Sequence, residues 1–347
     1  MPPSSRWTGN AVRRRLRGCV LIGFMKLRPT KRTRAEWSSA LGLLLLSALW
    51  AVAGLRMELN PHLGANTLSP AQSQTALFFV FAAVTAAIAV ARRAEFPRGR
   101  RALACAGVGV GLFVIPAAVA AWTQGWVSDL DRVVIFSLTP VFTVVLEPYL
   151  QGSPPRQAKA ALAGALAAVA GILLLVPVDF PGSFRAGAAL CALVATAFGI
   201  AVTNCFAVRL ARDLAGRSVM PFAALAGATG AVCFSTAAAF TPHSAWRWSA
   251  QPTQLLVQLV IDLPALFLLF WLMRRLAASR MTARFLLAPL FTILAGMALE
   301  PALPPVRAWF GLALLTGGAG WLVFAPAEEI DVEKMNWLKV HTDDRAT

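Results

Sequence analysis

The stretch LTPVFTVV, residues 138–145, reads closely against LAPLFTIL, residues 287–294. Pro140 pairs with Pro289, Phe142 with Phe291 and Thr143 with Thr292; further on, Gly171 pairs with Gly320 and Pro177 with Pro326. All five pairs share one offset of 149 residues. A constant offset across a proline-to-proline stretch marks an internal duplication, and what surrounds each copy decides the fold.

Both copies lie in long apolar runs. Of 347 residues, 58% are hydrophobic and 14% charged, against about 25% charged in a typical soluble domain. The charges cluster between the runs, so no stretch supplies the polar skin a water-soluble core needs. A helix crossing about 30 Å of hydrocarbon takes about 20 residues. Ten segments fit: 38–59, 73–91, 102–121, 130–149, 158–176, 186–206, 219–240, 252–273, 283–300 and 308–325. Lipid offers the backbone no hydrogen-bond partner, so the spans must be helices, and a barrel would show short alternating strands instead. AGALAAVAG (163–171) and ALAGATGAV (224–232) are rich in small residues, which lets helices approach closely; a few of these glycines lining a substrate path is a compatible second reading.

Charge sets the expected orientation. With the N-terminus inside, 27 of the 32 basic residues fall on the cytoplasmic side, among them Arg92, Arg93, Arg98, Arg100 and Arg101 in one loop and Arg274, Arg275, Arg280 and Arg284 in another. Lysine and arginine favour that side of short loops, and one missed helix would reverse everything downstream. Both tails are therefore expected in the cytoplasm. Five helices per copy is an odd number, so the second copy enters the membrane inverted, as in secondary transporters. The expected fold is an all-α integral membrane protein of ten transmembrane helices in two inverted repeats. The chain divides into a basic segment 1–37, a first repeat 38–176, a second repeat 186–326 and a tail 327–347. Residues 1–24 read as an extension without a fold of its own, or as an upstream start before Met25.

The net charge of +16 sits beside apolar segments, so anionic lipid headgroups, not nucleic acid, are the expected partner. The five cysteines form no CxxC pair and suggest neither a disulfide framework nor a metal site. His62, His243 and His341 fall outside the spans, and no HExxH, GxSxG, P-loop or dinucleotide fingerprint occurs. An enzyme is not expected, nor any cofactor.

ALGLLLLSALWAVAG with Trp50, FSLTPVFTVVLEPYLQG followed by ALAGALAAVAGILLLVP, and APLFTILAGMALEPALPPVRAWFGLALLTGGAGWLVFAP together resemble the drug/metabolite transporter superfamily, in its ten-helix branch with two EamA domains. The resemblance covers residues 38–326. It departs from the family pattern where Ala51 follows Trp50 and where QGSPPR in the first half lacks a loop glutamate; Glu300 stands close to that place in the second half. It implies export of a small metabolite, amino acid or drug-like compound across a bacterial inner membrane by alternating access, driven by the proton gradient or by solute exchange, as a monomer or homodimer. A lipid or lipid-linked substrate transporter and a non-transporting membrane scaffold are the competing readings. The first would need a lateral opening between helices, and the second a closed bundle.

Ionisable groups at membrane depth usually face a cavity or a partner. Arg56 and Glu58 near the end of the first span are interfacial charges or gate residues. Asp131 and Arg132, beside Asp129, are a wet helix N-terminus or a gate. Gln254, Gln258 and Asp262 recur every four residues and so share one helix face. Pro264 is expected to kink that helix. The face is either a substrate surface, with Asp262 as proton carrier, or a polar packing seam. Asn204 is expected to bond substrate or another helix, and Trp50 to wall a cavity. Glu147 and Glu300 are each followed by proline and read as helix ends or coupling groups.

Overall fold

The structure, a computed structural model, describes residues 34–59, 69–151, 155–176, 182–214, 218–240, 252–299 and 305–324, the side chains of 34–35, 55–59, 155–157 and 252–254 excepted. Two compact units divide at Met1–Trp37 and Ser38–Thr347. Only the opening turn of a helix is described in the first; the second holds everything that follows.

Ten helices among the described residues are long and apolar enough to cross a membrane. They are α1 Arg34–Leu59, α2 Pro70–Ala91, α3 Arg100–Trp122, α4 Asp129–Gln151, α5 Pro155–Leu175, α6 Phe184–Asp213, α7 Met220–Ala239, α8 Pro252–Met273, α9 Ala278–Leu299 and α10 Val306–Phe324. No described residue is in a strand. Each lies where the apolar runs predict a span. α6 runs seven residues beyond its expected end at 206, because FAVRLARD keeps helix-forming residues after the apolar stretch stops.

Local chemistry sets the helix starts. Ser69 and Gln72 form a reciprocal capping box at α2: the Ser69 hydroxyl accepts from the Gln72 amide at 3.3 Å, and the Gln72 side chain accepts from the Ser69 amide at 3.0 Å. Ser183 caps α6 by accepting from the Ala186 amide. Proline explains the irregular spans. Pro116 has no N–H for the carbonyl four residues back, and α3 relaxes into a π-turn over Val110–Val114. α4 breaks at Ser137 and Leu138, just before Pro140. α9 breaks at Ala283, between Ala278–Thr282 and Arg284–Leu299, and contains Pro289 within its longer piece. The two prolines align by the repeat offset, yet the breaks they accompany lie at different depths.

The most extensive packing is between α2 and α7 and between α5 and α10. α3 packs on α7 as α8 does on α2, and α4 on α5 as α9 does on α10. α3 meets α6, while Gly42 of α1 faces Trp271 and Leu272 of α8. Exchanging α1–α5 with α6–α10 in order maps every one of these pairs onto another of them or onto itself.

Two kinds of contact fill the interior. Phe78, Phe81, Phe113, Phe222, Phe234, Phe267 and Phe270 join α2, α3, α7 and α8 through tilted, stacked and edge-on ring pairs, with centroids 4.9–6.4 Å apart. Elsewhere backbones touch directly. A Cβ on Gly164 or Gly318 would fall 3.2 or 2.4 Å from the other's carbonyl oxygen, and one on Gly171 or Gly311 would fall 2.6 or 2.8 Å from its opposite. The two contacts run in opposite chain order, so α5 and α10 cross antiparallel on two glycine pairs, each seven residues apart. The glycines of both small-residue stretches, Gly164, Gly171, Gly227 and Gly230, are packing positions.

The outside is apolar. Leu103 is 73% exposed, Val260 70% and Phe79 67%, all within spans. A contiguous surface of this kind is unstable in water and suits hydrocarbon, so the fold is that of a multi-pass membrane protein.

Candidate functional site

Arg284 opens the longer piece of α9 and is only 2% exposed. It is among the largest fully buried side chains of the described chain. Its guanidinium donates from Nη2 to the Asn204 side-chain oxygen at 3.0 Å and from Nη1 to the Met281 carbonyl at 3.2 Å. Nε is buried with no hydrogen-bond partner. Two rings flank the cation: Trp50 of α1, 5.1 Å from guanidinium carbon to centroid, and Phe285 at 4.8 Å. The rings themselves lie 6.2 Å apart. No carboxylate among the described residues forms an ion pair with Arg284. Burying an unpaired charge costs several kcal/mol, which aromatic faces and neutral acceptors offset only in part.

This overturns one expectation and joins two others. The sequence reading counted Arg284 among the loop cations, but it lies inside the bundle. The signal was present, since the expected span 283–300 already contained it. Trp50 and Asn204, expected separately at a cavity, meet at this guanidinium. Asn204 is held by a second bond, donating from Nδ2 to the Ile200 carbonyl at 2.8 Å.

At the start of α9, Glu147 of α4 is buried and accepts from the amides of Ala278 and Ser279, both at 3.2 Å. Its carboxylate therefore caps the start of α9, where unpaired amides and the helix dipole favour an anion. Glu147 does not end α4, as its Pro148 neighbour suggested: the helix runs through Pro148 to Gln151. Three further bonds tie the same end. Gln151 donates to the Cys205 carbonyl at 3.0 Å, Arg212 to the Leu276 carbonyl at 3.1 Å and Arg209 to the Leu150 carbonyl at 3.5 Å. Together they latch α4, α6 and the α8–α9 turn.

The other expected residues are scattered. Gln258 is buried and bonded to Ser73 of α2: the Ser73 hydroxyl donates to its side-chain oxygen, and its amide donates to the Ser73 carbonyl at 3.4 Å. That is a packing seam between α8 and α2. Asp262 is half-buried and partnered, one turn further along, and α8 runs unbroken through Pro264. Asp131 is buried, accepting from the Ser128 hydroxyl at 2.6 Å while its amide donates to Ser128 at 3.0 Å. It thus lies buried in the first turn of α4 beside its Ser128 cap, while Asp129 in the same turn is exposed. Arg132 pairs with Asp129 and donates to the Ala120 carbonyl at 3.1 Å, tying α4 to the end of α3. The side chains of Arg56, Glu58 and Gln254, all of Glu300 and the two tails lie outside the described residues.

A cleft of about 370 Å³ lies between α3 and α6. Ala104, Gly107, Phe206 and Leu210 give it an apolar wall, with Arg209 and Asp213 at one end.

No family model matches the chain, and no curated protein matches it. Twenty-two chains of solved structures are similar to it. One, named only "Crystal structure of protein", superposes with a TM-score of 0.64 over 84% of this chain and 99% of that one, at 20% sequence identity. At that identity the likeness is one of fold alone.

Proposed function

We propose that the chain is a secondary transporter that moves a small solute across the membrane by alternating access between two inverted five-helix repeats. The observation that carries this is the Trp50–Arg284–Asn204 cluster, an unpaired cation inside a bundle of ten apolar helices. Intramembrane charge is costly and is kept where it handles a substrate or an ion. Most of the extensive helix pairings support the repeat, because α1–α5 and α6–α10 exchange places in them; α4 on α6 has no counterpart of like extent between α9 and α1. The charge bias supports placing both tails in the cytoplasm, and it survives the removal of Arg284 from the loops. On that placement the latch of Glu147, Gln151, Arg209 and Arg212 closes the cytoplasmic end. The resemblance to the ten-helix EamA family points to a bacterial inner membrane and to proton coupling or solute exchange.

The test is flux. Purified protein in proteoliposomes, given radiolabelled amino acids, organic acids and cationic dyes with and without a pH gradient, should move at least one class faster than empty vesicles. Folded, oriented protein that moves none would overturn the reading. Where flux depends on pH, Asp262→Asn should flatten that dependence; an unchanged profile removes Asp262 as the proton carrier.

A second reading has one observation behind it. A lipid transporter would need an opening between helices, and the α3–α6 cleft lies between two of them. Accelerated scrambling of a fluorescent phospholipid in the same vesicles would favour it.

A further inference from the structure

We infer that Arg284 is the anchor for a small organic carboxylate, so that the transported solute is an anion with an apolar or aromatic body. The inference rests on the transporter reading and names its substrate class. Arg284 already spends Nη1 on Met281 and one hydrogen of Nη2 on Asn204. Its Nε–H is unspent. The edge formed by Nε and Nη2 is the side-on face on which arginine takes a carboxylate through parallel bonds. Both existing acceptors are neutral, so they orient the fork without cancelling its charge. The nearby buried carboxylate is engaged elsewhere, since Glu147 accepts two amides at the start of α9. The cluster therefore keeps a net positive charge among the described residues, which a monoanion would neutralise.

The rings set the rest of the ligand. Trp50 and Phe285 flank the guanidinium and are tilted 54° to each other. A flat apolar group attached to the carboxylate would meet ring faces and edges there, whereas a second charge would find no described partner. Access follows from position. Arg284 lies six residues into α9, about 9 Å from its start at 1.5 Å per residue, and Glu147 closes that start. A ligand reaches the arginine from this end only when the Glu147 latch opens.

The experiment uses the full-length protein in detergent, with benzoate as the carboxylate probe, benzamide as its neutral isostere and inorganic phosphate as a second anion. Thermal midpoint and calorimetric binding are both read. Benzoate should raise the midpoint saturably, benzamide should not, and phosphate should act at least tenfold more weakly. Arg284→Gln should abolish the benzoate effect and Arg284→Lys should weaken it at least tenfold. Asn204→Asp keeps the size of the side chain and gives Arg284 an internal counter-charge, at the loss of the bond to the Ile200 carbonyl, so it too should lower benzoate affinity at least tenfold in protein that elutes as a folded species. Equal responses to benzoate and benzamide, or an Asn204→Asp protein that binds benzoate as well as wild type, would overturn the inference. Flux separates the two proposals. Transport of a neutral or cationic solute that is indifferent to Arg284→Lys sinks the anion site and leaves the transporter. Benzoate binding without flux of any tested solute sinks the transporter and leaves the site.

Discussion

Asn204 shows how much one amide decides. Its oxygen is an acceptor for a buried cation and its nitrogen is tied to the Ile200 carbonyl. Asn204→Ala strands a guanidinium donor in a dry site, at a cost of about 1–3 kcal/mol. Asn204→Asp adds the missing opposite charge. It also loses the donor to the Ile200 carbonyl, so both variants should lower the thermal midpoint in detergent, as scanning fluorimetry would read, with Asp falling less than Ala. A fall for Asp as large as that for Ala would mean that the added charge does not pair with Arg284. Gln258 offers a contrast. Its bonds go to Ser73 of a neighbouring helix, so Ser73→Ala should cost about 1 kcal/mol and leave transport rates per folded molecule unchanged. Sequence spacing grouped Gln258 correctly on a face with Asp262, but spacing along one helix does not identify the partner helix. For the same reason Arg284 was legible as a charge in a span, yet its pairing with Trp50 and Asn204 was not. Those three residues come from α9, α1 and α6, and only the tertiary packing brings them together.

Among the elements, α4 and α9 matter most, because each is interrupted and one holds the start of the other. Glu147 holds the first amides of α9, and the next turn of α6 carries Cys205, buried among core residues. Loss of the cap should free this end. In Glu147→Ala, with the other cysteines replaced by serine, Cys205 should react with a maleimide at least several-fold faster than in the parent, while Glu147→Gln, which keeps one acceptor, should fall between them. Equal rates in all three would show that the cap does not govern opening. The proline at 148 suggested a helix end beside Glu147. The helix continues because Pro148 sits in a membrane span, where neighbouring groups take up the freed backbone positions. α2 and α6 start at Pro70 and Phe184, ahead of the expected 73 and 186, because Ser69 and Ser183 cap them; that signal acts within three residues and needs no tertiary information.

At the scale of the whole molecule, the ten spans were legible because lipid imposes length and apolarity on every crossing. The rotation of each span about its axis was not, since helices apolar on every side carry little periodic signal. Glycines restore some of that information. Gly318→Ala places a methyl 2.4 Å from the Gly164 carbonyl oxygen, whereas Gly199→Ala meets nothing within 4 Å. The first should lower the thermal midpoint and the yield of folded protein sharply; the second should change neither. Similar behaviour of the two variants, measured by fluorescence-detected size exclusion, would mean that the α5–α10 crossing is looser than drawn.

That crossing has a mechanical corollary. Where two backbones touch on paired glycines there is no side-chain cushion to slide on, and the line through Gly164–Gly318 and Gly171–Gly311 behaves as a fulcrum. If the two repeats rock, spin labels placed on the outer faces of α5 and α10 beside it should keep their separation throughout the cycle. Labels near Glu147 and Ser279, where the cap on α9 would part, should record the largest swing.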